Sequence, residues 1–265
     1  MRQNCQKLLG NSNFKNEQGK FMLHEWGKEH YCNIFGGKTG IVSYGGDCYQ
    51  YIPDDQLQMI SVTKPAHLQG DHEEADTLIA FHAATITAGH IIVRASDTDM
   101  LVILIGAIGS QRPEVRSVSN RILDCGMGNT RRFINVSNIV EVLEECKSGL
   151  PQALPGYHAF TGCDFTSAFY RKGKVKPFNN MKKDATRKFV EMFISMGDIT
   201  GDVDADIASK FENPLANIKR VDCALLPPTR QTLKMKIRRS QYVAALWRQA
   251  TEASPGSGLR PSDFG

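Results

Sequence analysis

SDTDMLVILIG, residues 96–106, decides how this chain is read. Two aspartates, Asp97 and Asp99, stand directly against an apolar run. The preceding segment GHIIVRAS reads as a β-strand, and DMLVILIG reads as a second strand or the start of a buried helix, because a short apolar run fits both. An aspartate pair at the carboxyl end of a strand either punctuates a turn or holds something positively charged. In an extended segment residues i and i+2 face the same way, so the two carboxylates can converge.

Working outward, two further acidic groups share this placement at the edge of a regular element. DHEEADT carries Glu73, Glu74 and Asp76 at the start of a helix expected over residues 72–88, with Leu78, Ile79, Phe81, His82 and Ile86 as its buried stripe. In mid-helix i and i+2 diverge, so Glu74 and Asp76 share a site only from a first turn. TGCD carries Asp164. Taken singly, each has an ordinary structural reading. DHEE makes a capping box with Asp71 as N-cap, SDTD makes a turn, and GCD makes a turn or a cap. Taken together they suit divalent-metal hydrolysis of phosphodiesters, since Mg²⁺ and Mn²⁺ take hard oxygen ligands and two dications need four or five carboxylates.

The remaining chain alternates strands and helices, which argues for an α/β architecture with a mostly parallel central sheet flanked by helices. Short strands are expected at IVSYGG, QMISVTKP and RSVSNRILDC. Helices are expected near Phe21, Met22, Leu23 and Trp26, at VSNIVEVLEECKSG with Ile139, Val140, Val142 and Leu143 inward, at DATRKFVEMFISMG, and at TRQTLKMKIRRSQYVAALWRQA with Leu233, Ile237, Ala244 and Trp247 on one face. Residues 1–250 read as one domain, with 181–250 as its helical C-terminal part, and residues 251–265, rich in Pro, Gly and Ser, as a disordered tail.

Composition sets limits. The chain has 265 residues, of which 41% are hydrophobic, enough for a substantial core. Its net charge of +4 is uneven. Residues 171–265 hold 18 Lys/Arg against 10 Asp/Glu, and residues 1–170 hold 14 against 18. An acidic first part and a basic second part suit a metal site beside a polyanion-binding surface, or simply two solvated surfaces. Seven cysteines, none in a C-x-x-C pair, argue against a zinc ribbon and for reduced thiols. No N-terminal signal segment is evident, and the longest apolar run, residues 100–109, is far below the ~20 residues of a membrane helix. The expectation is an intracellular protein, nuclear if it acts on DNA, with no membrane contact.

The three motifs EADT, VRASDTDMLVILIG and HAFTGCDFTSAFYRKGK, in this order and spacing, resemble the flap endonuclease/XPG group of PIN-like nucleases. HEEADT, HAFTGCD and LPPTR…W further resemble animal proteins, often linked to mobile elements, that carry this domain. The likeness covers about residues 70–180. It implies a PIN-like fold and a two-ion Mg²⁺ or Mn²⁺ site, with Glu74 and Asp76 at one metal, Asp97 and Asp99 bridging or holding the second, and Asp164 completing the set. It implies a nucleic-acid partner, chiefly DNA, with Lys172, Gly173 and Lys174 forming a backbone-binding turn.

One element of the family pattern is unmatched. The family places a further aspartate at the end of its first strand, and before Asp71 this chain offers only Asp47, Asp54 and Asp55. The N-terminal part of the fold is therefore expected to be missing or divergent. Two other readings follow: a catalytically silent nucleic-acid-binding domain, and, more remotely, a haloacid-dehalogenase-type phosphatase, which also uses D-x-D after an apolar strand. His72, His82 and His158 read as structural, because hard-ion sites rarely use imidazole. Cys163 lacks the partner pattern of a nucleophile.

Overall fold

The structure is a computed structural model that describes residues 10–86, 89–198 and 228–259. It is an α/β fold in which two three-stranded sheets are accompanied by helices. The chain divides into two compact units, residues 1–71 and 72–265. The division falls inside the stretch that the sequence treats as one domain.

In the first unit, helix α1 (Ser12–Trp26) opens at Asn11, whose side chain accepts from the backbone N–H of Asn13 at 2.9 Å. It is followed by an antiparallel sheet of β1 (Gly40–Tyr44), β2 (Asp47–Asp54) and β3 (Met59–Thr63). The β1–β2 turn is Gly45–Gly46 with both φ positive, 63° and 87°, the geometry a two-residue hairpin needs. Trp26, Phe35 and Tyr51 form the aromatic core, and the Tyr51 hydroxyl donates to Leu23 O at 2.9 Å. Phe21, expected as an anchor, is exposed instead.

The second unit contains α2 (Ala75–Thr85), β4 (His90–Arg94), α3 (Thr98–Gly109), β5 (Asn120–Cys125), β6 (Arg132–Asn135), α4 (Val136–Cys146), α5 (Leu150–Thr161), α6 (Val175–Lys183), α7 (Lys188–Ser195) and α8 (Arg230–Arg248). β4 and β5 pair in parallel, while β5 and β6 pair antiparallel. Among the described residues a mostly parallel central sheet is not shown. After β5 the chain turns back at Gly126, whose φ is +80° and where a Cβ would come 2.4 Å from Thr130 O. This short return gives a hairpin where a helical crossover would have given another parallel strand.

The decisive apolar run is a helix. In α3 every residue from Val102 to Gly109 is buried, so no apolar periodicity distinguishes it from a strand. It lies among α2, α4, α5 and α8. The α3–α5 approach is close because Gly106 and Gly109 face Pro155 and Pro151, and a Cβ at either glycine would come 2.5 or 2.6 Å from a proline ring atom. At Gly156, on α5, a Cβ would come 2.3 Å from Phe193 O of α7. Small residues thus set the spacing on both sides of α5.

Three local features differ from expectation. α2 buries Thr77, Ala80, Phe81 and Ala83, while Ile86 is exposed and 87–88 lie outside the described residues. In α4, Val136 and Val140 are buried and Val142 points outward. RKGKVKP is only partly a turn, since α6 begins at Val175. In α8 the expected face holds: Leu233, Ile237, Ala244 and Trp247 are all buried. The expected tail is described over 251–259 as turns, and 260–265 lie outside the described residues.

Candidate metal centre

Glu74 is the N-cap residue of α2 and Asp76 stands in its first turn. Asp97 is the N-cap residue of α3 and Asp99 stands in its first turn. The two pairs therefore have the same local design. Each N-cap residue is extended, with φ and ψ of −106° and 137° for Glu74 and −84° and 142° for Asp97. The chain enters the helix one residue later. The helix amides at each start favour negative charge. Asp97 Oδ1 accepts from the backbone N–H of Asp99 at 2.9 Å. The Glu74 side chain makes no such cap bond, and Asp71 is not the N-cap, so the capping box expected of DHEE does not form. Convergence of Asp97 and Asp99 comes from this cap geometry, not from two positions along one extended strand.

Asp164 arrives differently. Cys163 and Thr166 exchange both backbone hydrogen bonds, 3.1 and 3.2 Å, so Asp164 and Phe165 form the tip of a tight turn. Buried Thr166 anchors this turn by donating from its hydroxyl to Ala159 O. Gly162 precedes it with φ +121°, and a Cβ there would come 2.7 Å from Ala168 Cα. That position requires glycine.

All five predicted carboxylates, Glu74, Asp76, Asp97, Asp99 and Asp164, line one cleft of about 250 Å³, joined by Ala75 and Phe165. Burial and neighbouring charge act together on two of them. Burial first, then the charges of Asp97, Asp99 and Asp164, push the Asp76 carboxyl above its ordinary range. Burial first raises Glu74 too, with Asp76, Asp99 and Glu73 adding to it, while the indole N–H of Trp247 acts in the opposite direction. That indole makes no hydrogen bond of normal length, so its effect on Glu74 is that of a nearby dipole.

The donor type and the uncompensated charge fit Mg²⁺ or Mn²⁺: oxygen ligands only, in a cleft a dication would neutralise. Among the described residues, however, no group of three or more His, Cys, Asp or Glu side chains is set to hold a metal ion. Carboxylates that repel one another favour separated rotamers until a cation joins them.

Behind the cleft lies an arrangement the sequence reading missed. Buried Asp99 receives His158 Nε2 on Oδ1 at 2.8 Å, and Lys174 Nζ meets His158 Nδ1 at 2.9 Å. Lys174 also donates to Gly162 O. Lys174, expected to face a nucleic-acid backbone, is thus turned inward. Lys172 and Gly173 are exposed. A Cβ at Gly173 would meet nothing within 4 Å, so packing does not call for glycine there. Burial pushes the Lys174 ammonium down from its ordinary value and likewise lowers His158, against the opposing pull of Asp99. The available signal for this pair was the lysine itself, a charge in a loop 16 residues beyond a histidine already beside a motif.

Other expected candidates have local roles. Asp47 pairs with Lys64 at 2.6 Å and accepts from the Tyr49 hydroxyl at 3.2 Å. Asp54 accepts from the N–H groups of Gln56 and Leu57, and Asp55 accepts from the Cys32 thiol. On α8, Lys236 donates to Ser167 O and lies over the Phe169 ring, and Arg248 binds Ile194 O and Asp198. The described cysteines are all free thiols. Among the described residues no helix is long and apolar enough to cross a membrane.

No family model, no curated protein and no solved structure matches this chain. The functional reading therefore stands on the cleft.

Proposed function

We propose that the second unit is a metal-dependent nuclease-type domain of the PIN-like, flap-endonuclease kind, hydrolysing phosphodiester bonds of DNA or RNA. One observation carries this reading. Five carboxylates from three separate chain segments, two of them helix starts that each place one carboxylate at the N-cap and one in the first turn, line one cleft, with no Lys or Arg among the described residues that line it. Glu74, Asp76, Asp97, Asp99 and Asp164 would hold Mg²⁺ or Mn²⁺, ideally two ions. When bound, the ions supply charge neutralisation at the phosphate undergoing displacement.

The chain's own groups do the rest. The two helix starts fix four carboxylates on backbone that is itself held by the buried α3 core. The exposed Phe165 ring, at the tip beside Asp164, offers a flat apolar face to a sugar or base of the bound strand. Exposed Lys172 offers a phosphate contact.

The test is incubation of purified protein with single-stranded, duplex and flap DNA, and with RNA, in Mg²⁺ or Mn²⁺. Metal-dependent cleavage is expected, and it should disappear in Asp97→Asn/Asp99→Asn. No cleavage, or cleavage unchanged by the double substitution, would overturn the reading. A second reading, nucleic-acid binding without turnover, is favoured by the lack of a ready-made three-ligand set among the described residues. Retained binding with no cleavage would select it.

A further inference from the structure

Among the described residues, Asp99 and Asp124 are the buried carboxylates, and only Asp99 is joined to a histidine. His158 and Asp99 are far apart in the chain and both buried, so their 2.8 Å contact is a feature of the packed core. The other face of the ring is fixed equally tightly by Lys174 at 2.9 Å.

Donor chemistry settles the direction of this chain of bonds. A lysine ammonium has donors only, so His158 Nδ1 accepts. The single ring proton then sits on Nε2 and is donated to Asp99 Oδ1. Asp99 lines the cleft, and His158 occupies Oδ1, one of its two carboxylate oxygens.

The anchors extend the coupling. Lys174 also donates to Gly162 O, the residue leading into the turn that presents Asp164. The Tyr157 hydroxyl donates to the backbone carbonyl of Lys174 and holds that residue against α5. His158 lies against the Trp247 ring, with centroids 6.0 Å apart. One lysine thus ties together the end of α5, the Asp164 turn and, through an imidazole, the first turn of α3.

We propose that Lys174 and His158 are positioning residues for the metal site: Lys174 holds the His158 ring in place, and His158 holds the Asp99 carboxylate so that its other oxygen is presented to a divalent cation. This rests on the metal-site reading above. Groups that hold a ligating side chain in place in this way typically change metal affinity by 10–100-fold when removed. A role in packing alone would depend on ring shape and not on the Nε2 proton.

The experiment is calorimetric titration of Mn²⁺ into EDTA-stripped full-length protein, with melting temperatures of the stripped proteins alongside. His158→Gln keeps a side-chain N–H where Nε2 stood, and His158→Phe keeps the ring but not the donor. Lys174→Met removes the contact at Nδ1 and frees the ring to turn away from Asp99. We expect His158→Phe to weaken Mn²⁺ binding by about 10–100-fold, Lys174→Met to weaken it in the same direction, and His158→Gln to stay within about fivefold of the wild type. Long-range ¹H–¹⁵N spectra of the metal-free wild type should show His158 protonated on Nε2 alone. Equal affinity in wild type and His158→Phe, or a wild-type His158 protonated on Nδ1, overturns the positioning role while leaving the metal site standing. A wild type that binds no Mn²⁺ overturns both.

Discussion

Asp124 and Asp99 are two buried aspartates, one near the end of β5 and one in the helix turn that follows β4, and they are treated in opposite ways. Asp124, near the end of β5, accepts from Arg94 at 2.6 Å and from Arg131 at 2.8 and 2.9 Å. The Arg131 hydrogen bond is the main reason its carboxyl sits below the ordinary range. Asp99, just beyond β4, has four other carboxylates lining the same cleft and a histidine at its back. A structural carboxylate is neutralised by the protein that buries it. A carboxylate left among its own kind is a cost to the fold unless something from outside completes it. That difference separates the cleft from an ordinary buried ion pair.

The comparison can be broken at either end. The largest effect is expected from Asp97→Asn/Asp99→Asn, which should lower Mn²⁺-dependent cleavage by at least about 100-fold, measured as initial rates on a labelled oligonucleotide. The melting temperature without metal should not fall. Asp124→Asn is expected to do the reverse, lowering the melting temperature by thermal unfolding while leaving Mn²⁺ affinity unchanged. Its pH signature follows from the depressed carboxyl. Stability supplied by Asp124 is full above the ordinary carboxylate range and is lost as pH falls through its lowered value.

The scaffold behind the cleft can be tested next. Gly156→Ala would drive a Cβ against Phe193 O, and about 1–3 kcal/mol of stability should be lost in denaturant unfolding. Because His158 sits two residues on, Mn²⁺ affinity should fall with it.

The smallest effect sharpens the comparison most. Asp76 is raised by burial and by its neighbours. In the folded state it therefore holds a proton that the unfolded chain has already released, and stability falls as pH rises between the ordinary and the raised value. Asp76→Asn should raise the melting temperature slightly at neutral pH in EDTA. The gain should shrink to nothing as pH drops to the ordinary aspartate range, and Mn²⁺ should remove it at neutral pH by stabilising the wild type instead.

The acidic groups were legible in the sequence because each marks the edge of a regular element, and all five do line one cleft. How they come together was not legible. DMLVILIG is apolar on every side, and a fully buried helix and a buried strand give the same pattern, so the pattern does not show that Asp97 is a helix cap and Asp99 a first-turn residue. The sheet was expected to be mostly parallel because strands and helices alternate in the chain. A short turn at Gly126 sends the last strand back instead. The family resemblance puts Lys174 in a backbone-binding turn with Lys172 and Gly173, and nothing local reveals that the Asp164 turn folds it onto His158. Long-range bonds of this kind have no period and no spacing to read.

The most direct measurement is Mn²⁺ binding to the EDTA-stripped protein. Saturable binding is expected, lost in Asp97→Asn/Asp99→Asn and kept in Asp124→Asn. No binding by the wild type, or binding that survives the double substitution, would contradict it.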